Sequence, residues 1–137
     1  ARGARLSWPG GDTEVVLLRG AAGAAGGLAL EGARAVLRTT PAGRWRRLIV
    51  DAGVRLARGG RVYLRASRPV TVSLEASAGA AWRGGVEARG ATRITVAAPD
   101  RPREVRVNGS PVKFDYDGAA GALTFGVGAG ASRVGAR

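Results

Sequence analysis

The sequence predicts an all-β fold, an antiparallel β-sandwich of many short strands that takes residues 1–137 as a single domain. Three observations predict it. Apolar residues recur at every second position through most of the chain. Turn residues interrupt that pattern at roughly 8–12-residue spacing, as in sandwiches and barrels. Glycine occupies 23 positions, too many for long helices, in which each interior glycine costs about 1 kcal/mol relative to alanine. At 137 residues the chain buries roughly two thirds of the surface its unfolded form exposes, enough for one core. Aromatic residues are only 5%. The core must therefore rest on Val, Leu and Ile, with Trp8, Trp45, Trp82, Tyr63, Phe114, Tyr116 and Phe125 as bulky anchors.

The elements follow in order. Glu14–Leu18 and Arg47–Val50 contain continuous apolar runs of strand length, which suit central strands covered on both faces. Gly20–Gly27 (GAAGAAGG) is small and uncharged, a flexible loop. Ala29–Thr39 is the best candidate for a helix, although Val36 and Leu37 between Arg34 and Arg38 fit a strand equally well. Arg61–Arg65 turns Val62 and Leu64 inward. In Val70–Glu75 the inward set is Val70, Val72 and Leu74, opposite Thr71, Ser73 and Glu75. Thr92–Val96 repeats the pattern with Ile94 and Val96, and Glu104–Val107 with Val105 and Val107. Turns are expected at Arg58-Gly59-Gly60, Ser67-Arg68-Pro69, Ala98-Pro99-Asp100 and Asp117-Gly118. Asn108-Gly109 has the chemistry of a type I′ hairpin. Pro111 then places the start of its strand at an edge, or just after a slightly longer loop, because it has no N–H for a ladder. Gly126–Gly135 reads as a second loop, with Val127 and Val134 able to pack.

Composition limits the chemistry. With no Cys and no His, disulfides, thiolate chemistry and an ordinary serine triad are excluded. The acids, 10 in all, are scattered, and spacing singles out no catalytic pair of carboxylates. Asp115-Tyr116-Asp117-Gly118 offers two carboxylates to a calcium ion but lacks EF-hand spacing, and an Asp-Gly turn explains it. No cofactor is expected, nor catalysis by this chain alone. Asn108-Gly109-Ser110 is formally a glycosylation sequon, which the hairpin and Pro111 explain better.

The formal charge of +12 rests on arginine, with Lys113 the sole lysine. Such a protein is drawn to polyanions. Arginine is spread along the chain without a nucleic-acid motif, so no specific nucleic-acid partner is expected. No apolar run reaches the roughly 20 residues of a membrane-spanning helix. The lack of Met leads us to expect a piece of a larger protein or a processed product. The candidate ligand-binding residues are Arg44, Trp45, Arg46 and Arg47, with Trp82 and Arg83. An exposed indole stacks on a sugar face, and guanidinium forks pair with carboxylate or sulfate. The alternative is that the tryptophans, Trp8 included, anchor the core.

The last third carries a resemblance. Arg101–Asp117 (RPREVRVNGSPVKFDYD), then Gly121–Phe125 (GALTF) and Gly128–Val134 (GAGASRV), resemble the closing strands of β-sandwich domains at the C-termini of bacterial polysaccharide-degrading enzymes. Leu48–Leu56 and Arg61–Glu75 resemble the middle of such domains in heparinase II/III-like lyases. The resemblance covers residues 46–135 and brings no catalytic motif with it. It implies a non-catalytic accessory module of an extracellular carbohydrate-active protein. Its partners would be polysaccharide, acidic rather than neutral, or the rest of a larger enzyme. The alternative is a structural subunit of an extracellular filament or multi-chain assembly, formed by self-association.

Overall fold

Period-two patterning becomes thirteen strands and, among the described residues, no helix. The structure is a computed structural model describing residues 3–18, 27–77 and 81–137. Of the expected Gly20–Gly27 loop, all but Gly27 lies outside these residues. The strands are β1 (Gly3–Ser7), β2 (Thr13–Leu18), β3 (Leu28–Glu31), β4 (Arg34–Thr39), β5 (Trp45–Arg58), β6 (Arg61–Ala76) and β7 (Trp82–Ala88). They continue with β8 (Thr92–Ala97), β9 (Val105–Val107), β10 (Ser110–Val112), β11 (Phe114–Asp117), β12 (Ala122–Val127) and β13 (Gly130–Ala136). All pairings are antiparallel, and hydrogen bonds join every strand into one sheet.

That sheet has two limbs sharing the long β5–β6 hairpin. The first limb runs β1-β2-β4-β5-β6-β7-β13-β9-β10. The second runs β3-β5-β6-β8-β12-β11, using the other halves of β5 and β6. The predicted all-β antiparallel class is therefore found, as one continuous sheet rather than two separate ones.

The hairpin changes limb at a corner. Ladder pairing between β5 and β6 shifts around Gly53, and Ala52 adopts a positive φ of 47°. Such a bulge bends its strand and sharpens the local twist. On β6 the corner falls at Ser67-Arg68-Pro69, expected to be a turn. The chain instead stays extended through it, because there β6 leaves β8, its partner to Ala66, for β7, its partner from Val70. The missing N–H of Pro69 costs no ladder bond there.

The limbs pack against each other through one apolar cluster. Leu48, Val50, Val72 and Leu74 of the first limb, and Leu64, Ile94, Val96 and Leu123 of the second, are all fully buried within it. Trp82 lies 5.8 Å from Phe125 and 6.3 Å from Trp45, between ring centroids. The indole N–H of Trp45 donates to the carbonyl of Ala97 at 2.7 Å, tying β5 of one limb to β8 of the other.

Most expected strands are found, with four corrections. The runs at β2 and β5 are covered fully on one face only: Val15, Leu17, Leu48 and Val50 are buried, but Val16 and Ile49 are half-buried and Leu18 is exposed. Ala29–Thr39 divides between strands β3 and β4, with no helix. In β6 Tyr63 is buried as deeply as Leu64 while Val62 is only half-buried, because a bulge between Leu56 and Ala57 shifts the pairing there. Gly126–Gly135 is no loop. It ends β12 and supplies β13, which runs between β7 and β9 with Ser132, Val134 and Ala136 buried. Glycine frequency concealed its period of two. The Asn108-Gly109 hairpin is as expected, with φ of 52° and 83° and Val107 opposite Ser110. Pro111 lies on β10, at the end of the first limb.

Two predictions follow from the corner and the chain's last strand. A Cβ on Gly53 would sit 2.9 Å from the Glu31 carbonyl oxygen and 2.5 Å from Val50 Cγ1. Gly53→Ala should therefore destabilise by about 1–3 kcal/mol, as overpacking does, whereas Ala52→Gly should hold or raise stability, since glycine adopts positive φ freely; urea unfolding of both measures the contrast. Glu104 accepts a hydrogen bond from Arg106 Nε, and Arg137 Nη2 approaches it to 3.6 Å. The Arg106 hydrogen bond, aided by the two guanidinium charges, holds this carboxyl below its ordinary 4.5. Its stabilising contribution is thus fully present above pH 4.5 and lost as pH falls through the lower folded value. The stability gap between wild type and Glu104→Gln should be constant above that pH and close in acid, read from unfolding curves across a pH series.

Candidate functional site

Where the limbs meet at one end, short side chains leave a cleft of about 1010 Å³. Alanine and glycine at Ala76, Ala81, Ala97, Ala122 and Gly60 make much of the room. Its walls are the β4–β5 turn, the first half of β6, the segment after β8 and the β11–β12 hairpin. Each places chemistry by its own local logic. The β4–β5 turn closes through Gly43, whose φ is 85° and whose N–H donates to the Thr40 carbonyl. That turn sets Arg44 and Arg46 on either side of Trp45. β6 contributes Arg61, Tyr63 and Arg65, with the bulge at Tyr63 interrupting the strand alternation between the two arginines. In the second limb Thr95 of β8 sits opposite Thr124 of β12, and their hydroxyls share a hydrogen bond of 2.8 Å.

The cations differ in how they are held. Arg44 Nη2 lies 3.6 Å from Asp100, and Arg46 Nε lies 3.4 Å from Asp12, which also binds Arg38 at 3.1 Å. Arg61 Nη1 donates to the Gly43 carbonyl at 3.0 Å. Arg65 has no ion pair among the described residues. Tyr116 donates its hydroxyl to the Ala98 carbonyl at 2.9 Å, fixing one wall.

The two carboxylates of the Asp115–Asp117 segment do not converge. Asp115 accepts from Arg93 at 3.1 Å, and Asp117 accepts the backbone N–H groups of Ala119 and Ala120 in the following turn. Among the described residues no three His, Cys, Asp or Glu side chains come together as metal ligands do. What the cleft offers is recognition: guanidinium and hydroxyl groups, with the carboxylates of Asp100, Asp115 and Asp117, around an apolar floor.

Of the residues expected from sequence, Arg44, Trp45, Arg46 and Trp82 line this cleft. Arg47 and Arg83 do not. They lie on the solvent face of the first limb, on either side of Glu75 in the register, with Arg47 Nε 3.8 Å from that carboxylate. Neither predicted indole is an exposed platform, because Trp45 and Trp82 are each only 6% accessible. They anchor the core and show the cleft an edge. The exposed indole is Trp8, and the Arg38 guanidinium covers its ring at 4.1 Å. Sequence reasoning passed over Arg61, Tyr63, Arg65, Thr95 and Thr124. Alternation beside the inward Leu64 points to Arg65, whereas the bulge at Tyr63 hides the placement of Arg61 from any such pattern.

Compared with known proteins, the sequence matches no family model and no curated protein.

Trp45 joins the two limbs as well as lining the cleft, so its removal should be felt first in stability. Trp45→Ala should cost about 3–5 kcal/mol. Trp45→Phe, which keeps most of the bulk but strands the Ala97 carbonyl, should cost about 1–3 kcal/mol. Chemical denaturation of both variants separates packing from the hydrogen bond.

Proposed function

We propose that this chain is a non-catalytic accessory module of an extracellular carbohydrate-active protein, and that its cleft holds a segment of acidic polysaccharide. The observation that carries this is the composition of the cleft: arginines on its rim outnumbering the carboxylates of Asp100, Asp115 and Asp117, two of which are paired with Arg44 and Arg93, together with paired threonine hydroxyls and indole edges on its floor. A saccharide has the complementary chemistry. Its hydroxyls exchange hydrogen bonds with threonine and arginine, its ring faces rest on apolar surface, and its carboxylates or sulfates pair with guanidinium forks. The volume is at the upper end of the range for small-molecule sites, suited to more than one sugar unit. Charge alone does not explain such a preference, because a net +12 attracts every polyanion.

A second reading, a structural subunit that self-associates, is favoured by β1. Among the described residues this strand pairs with β2 alone, leaving its other edge without a strand. Beside that edge Leu6 and Leu18 are 50% and 46% exposed. Free edges of this kind add a strand from another chain.

Affinity electrophoresis through polygalacturonate, a neutral glucan and DNA across a salt series tests the first reading. Retardation by polygalacturonate should outlast salt that releases DNA, and Arg44→Ala should weaken it about tenfold, the scale of one charge-assisted contact. Equal release from both polyanions by salt would overturn it. Sedimentation over a concentration series tests the second, which requires mass to grow with concentration and Leu6→Glu to prevent that growth.

A further inference from the structure

Cross-strand register assembles a polar row on the second limb. Arg65 of β6 lies opposite Thr95 of β8, Thr95 opposite Thr124 of β12, and Thr124 opposite Asp115 of β11. In the other direction Arg65 lies opposite Arg55 of β5, and Arg55 opposite Glu31 of β3. Directly opposed residues of an antiparallel ladder share a face, so the row has a single outlook. It is the face away from Leu64, Val96 and Leu123, which precede or follow these residues and are fully buried in the core. Arg65, Thr95, Thr124 and Asp115 line the cleft. Two residues further along their strands, Ala97 and Ala122 also oppose each other and line it, placing methyl groups beside the hydroxyls.

The middle of this row has binding capacity that the protein leaves unused. Arg65 is exposed and enters no ion pair among the described residues. Its opposed neighbours are a like charge, which destabilises a ladder, and a neutral hydroxyl. Carboxylates stand only at the ends of the row, and Asp115 is already held by Arg93 at 3.1 Å. Thr95, 9% exposed, and the half-buried Thr124 share one hydrogen bond of 2.8 Å. Two hydroxyls carry two O–H donors, and that bond uses one. The second donor and the remaining lone pairs face the cleft without another side-chain partner among the described residues.

We infer that Arg65, Thr95 and Thr124 form a subsite for a single hexuronate residue of an acidic polysaccharide, with the sugar carboxylate on Arg65 and ring hydroxyls on the threonine pair. The inference rests on the proposed function and names the sugar class and the residues that select it. Adjacent strands lie about 4.8 Å apart, so a guanidinium and a hydroxyl pair on neighbouring strands serve one ring that bears both an acid and hydroxyls. The planar fork of Arg65 takes a carboxylate through two parallel hydrogen bonds, and Arg55 behind it adds to the positive field. Ala97 and Ala122 are small enough for the ring to rest against them. Asp115 repels a second anion at the far end of the row, which favours free ring hydroxyls there over sulfated ones.

Affinity electrophoresis of wild type, Arg65→Gln, Thr124→Val, Thr124→Ser and Arg133→Gln compares retardation by polygalacturonate, by its methyl ester and by DNA. The methyl ester keeps the ring hydroxyls and loses the charge. Arg133 does not line the cleft, so its variant controls for net charge. Arg65→Gln should weaken retention by polygalacturonate about tenfold and leave retention by the ester unchanged. Thr124→Val, which keeps the side-chain shape, should weaken both about fivefold, and Thr124→Ser should lose little. Arg65 is exposed, so its variant carries the comparison should Thr124→Val not fold. Equal losses in Arg65→Gln and Arg133→Gln would mean net charge alone and overturn the subsite, as would unchanged retention in a folded Thr124→Val. A matching loss of DNA retention in Arg65→Gln would remove the uronate as its ligand. Wild-type retention that outlasts the salt releasing DNA, yet ignores both cleft changes, overturns the subsite and leaves the proposed function standing. Release of wild type from polygalacturonate and DNA by the same salt overturns both.

Discussion

The fold depends on one constraint: a single hydrogen-bonded sheet has to turn a corner without losing its ladder. Two long strands carry the whole chain around that corner, and each solves the problem differently. On β5 the solution is a bulge at Ala52–Gly53, where Gly32 and Gly53 approach so closely that a Cβ on either would clash. On β6 it is Pro69, placed where the strand changes partners and no backbone donor is needed. Once the hairpin bends, the aliphatic faces of both limbs meet. Trp45, Trp82 and Phe125 then fill the closing angle. The cleft is the part of that angle left unfilled by alanine and glycine.

Charge placement follows the two limbs. The first limb interleaves its cations with Asp12, Asp51 and Glu75 on its solvent face. At the β5–β6 hairpin tip the opposed Arg58 and Arg61 take part in no ion pair among the described residues. Natural sequences generally agree with local rules, and the places where they break one tend to be functional. The extra residue of the bulge in β6 is Tyr63, whose side chain is buried beside Leu64.

Much of this architecture was legible in the sequence because strand alternation is a local signal. Val70, Val72 and Leu74 point inward because every second residue must, and Asn108-Gly109 makes a hairpin because its φ values are positive. The legibility ended where glycine replaced side chains. Segment 126–135 shows no pattern to a reader seeking apolar periodicity, although its backbone occupies the middle of the sheet. It ended again at partner changes, since nothing local distinguishes the corner at Pro69 from a turn. The site was half visible. Arg44 and Trp45 stand out as neighbours in the chain, but Arg47 follows them in sequence and faces away, because alternation and the bulge near Thr39 separate the faces. Arg65 joins the cleft through the long-range pairing of β6 with β8, and Arg61 through its hydrogen bond to the Gly43 carbonyl of the β4–β5 turn.

The position of β13 bears on how the chain assembles. β7 and β9 both precede it in sequence, yet in the sheet they are separated by its width and neither pairs with the other. The β9–β10 hairpin forms locally, within microseconds on the usual scale for hairpins, but has nothing to dock on until β13 arrives. During synthesis the edge of β7 therefore waits unpaired while roughly forty further residues emerge, several seconds at typical elongation rates. Long-range closures of this kind slow folding and expose a template for mispairing. The small side chains of β13 then have a kinetic meaning: a strand in which five of seven residues are Gly, Ala or Ser has little bulk to reorient as it enters the gap.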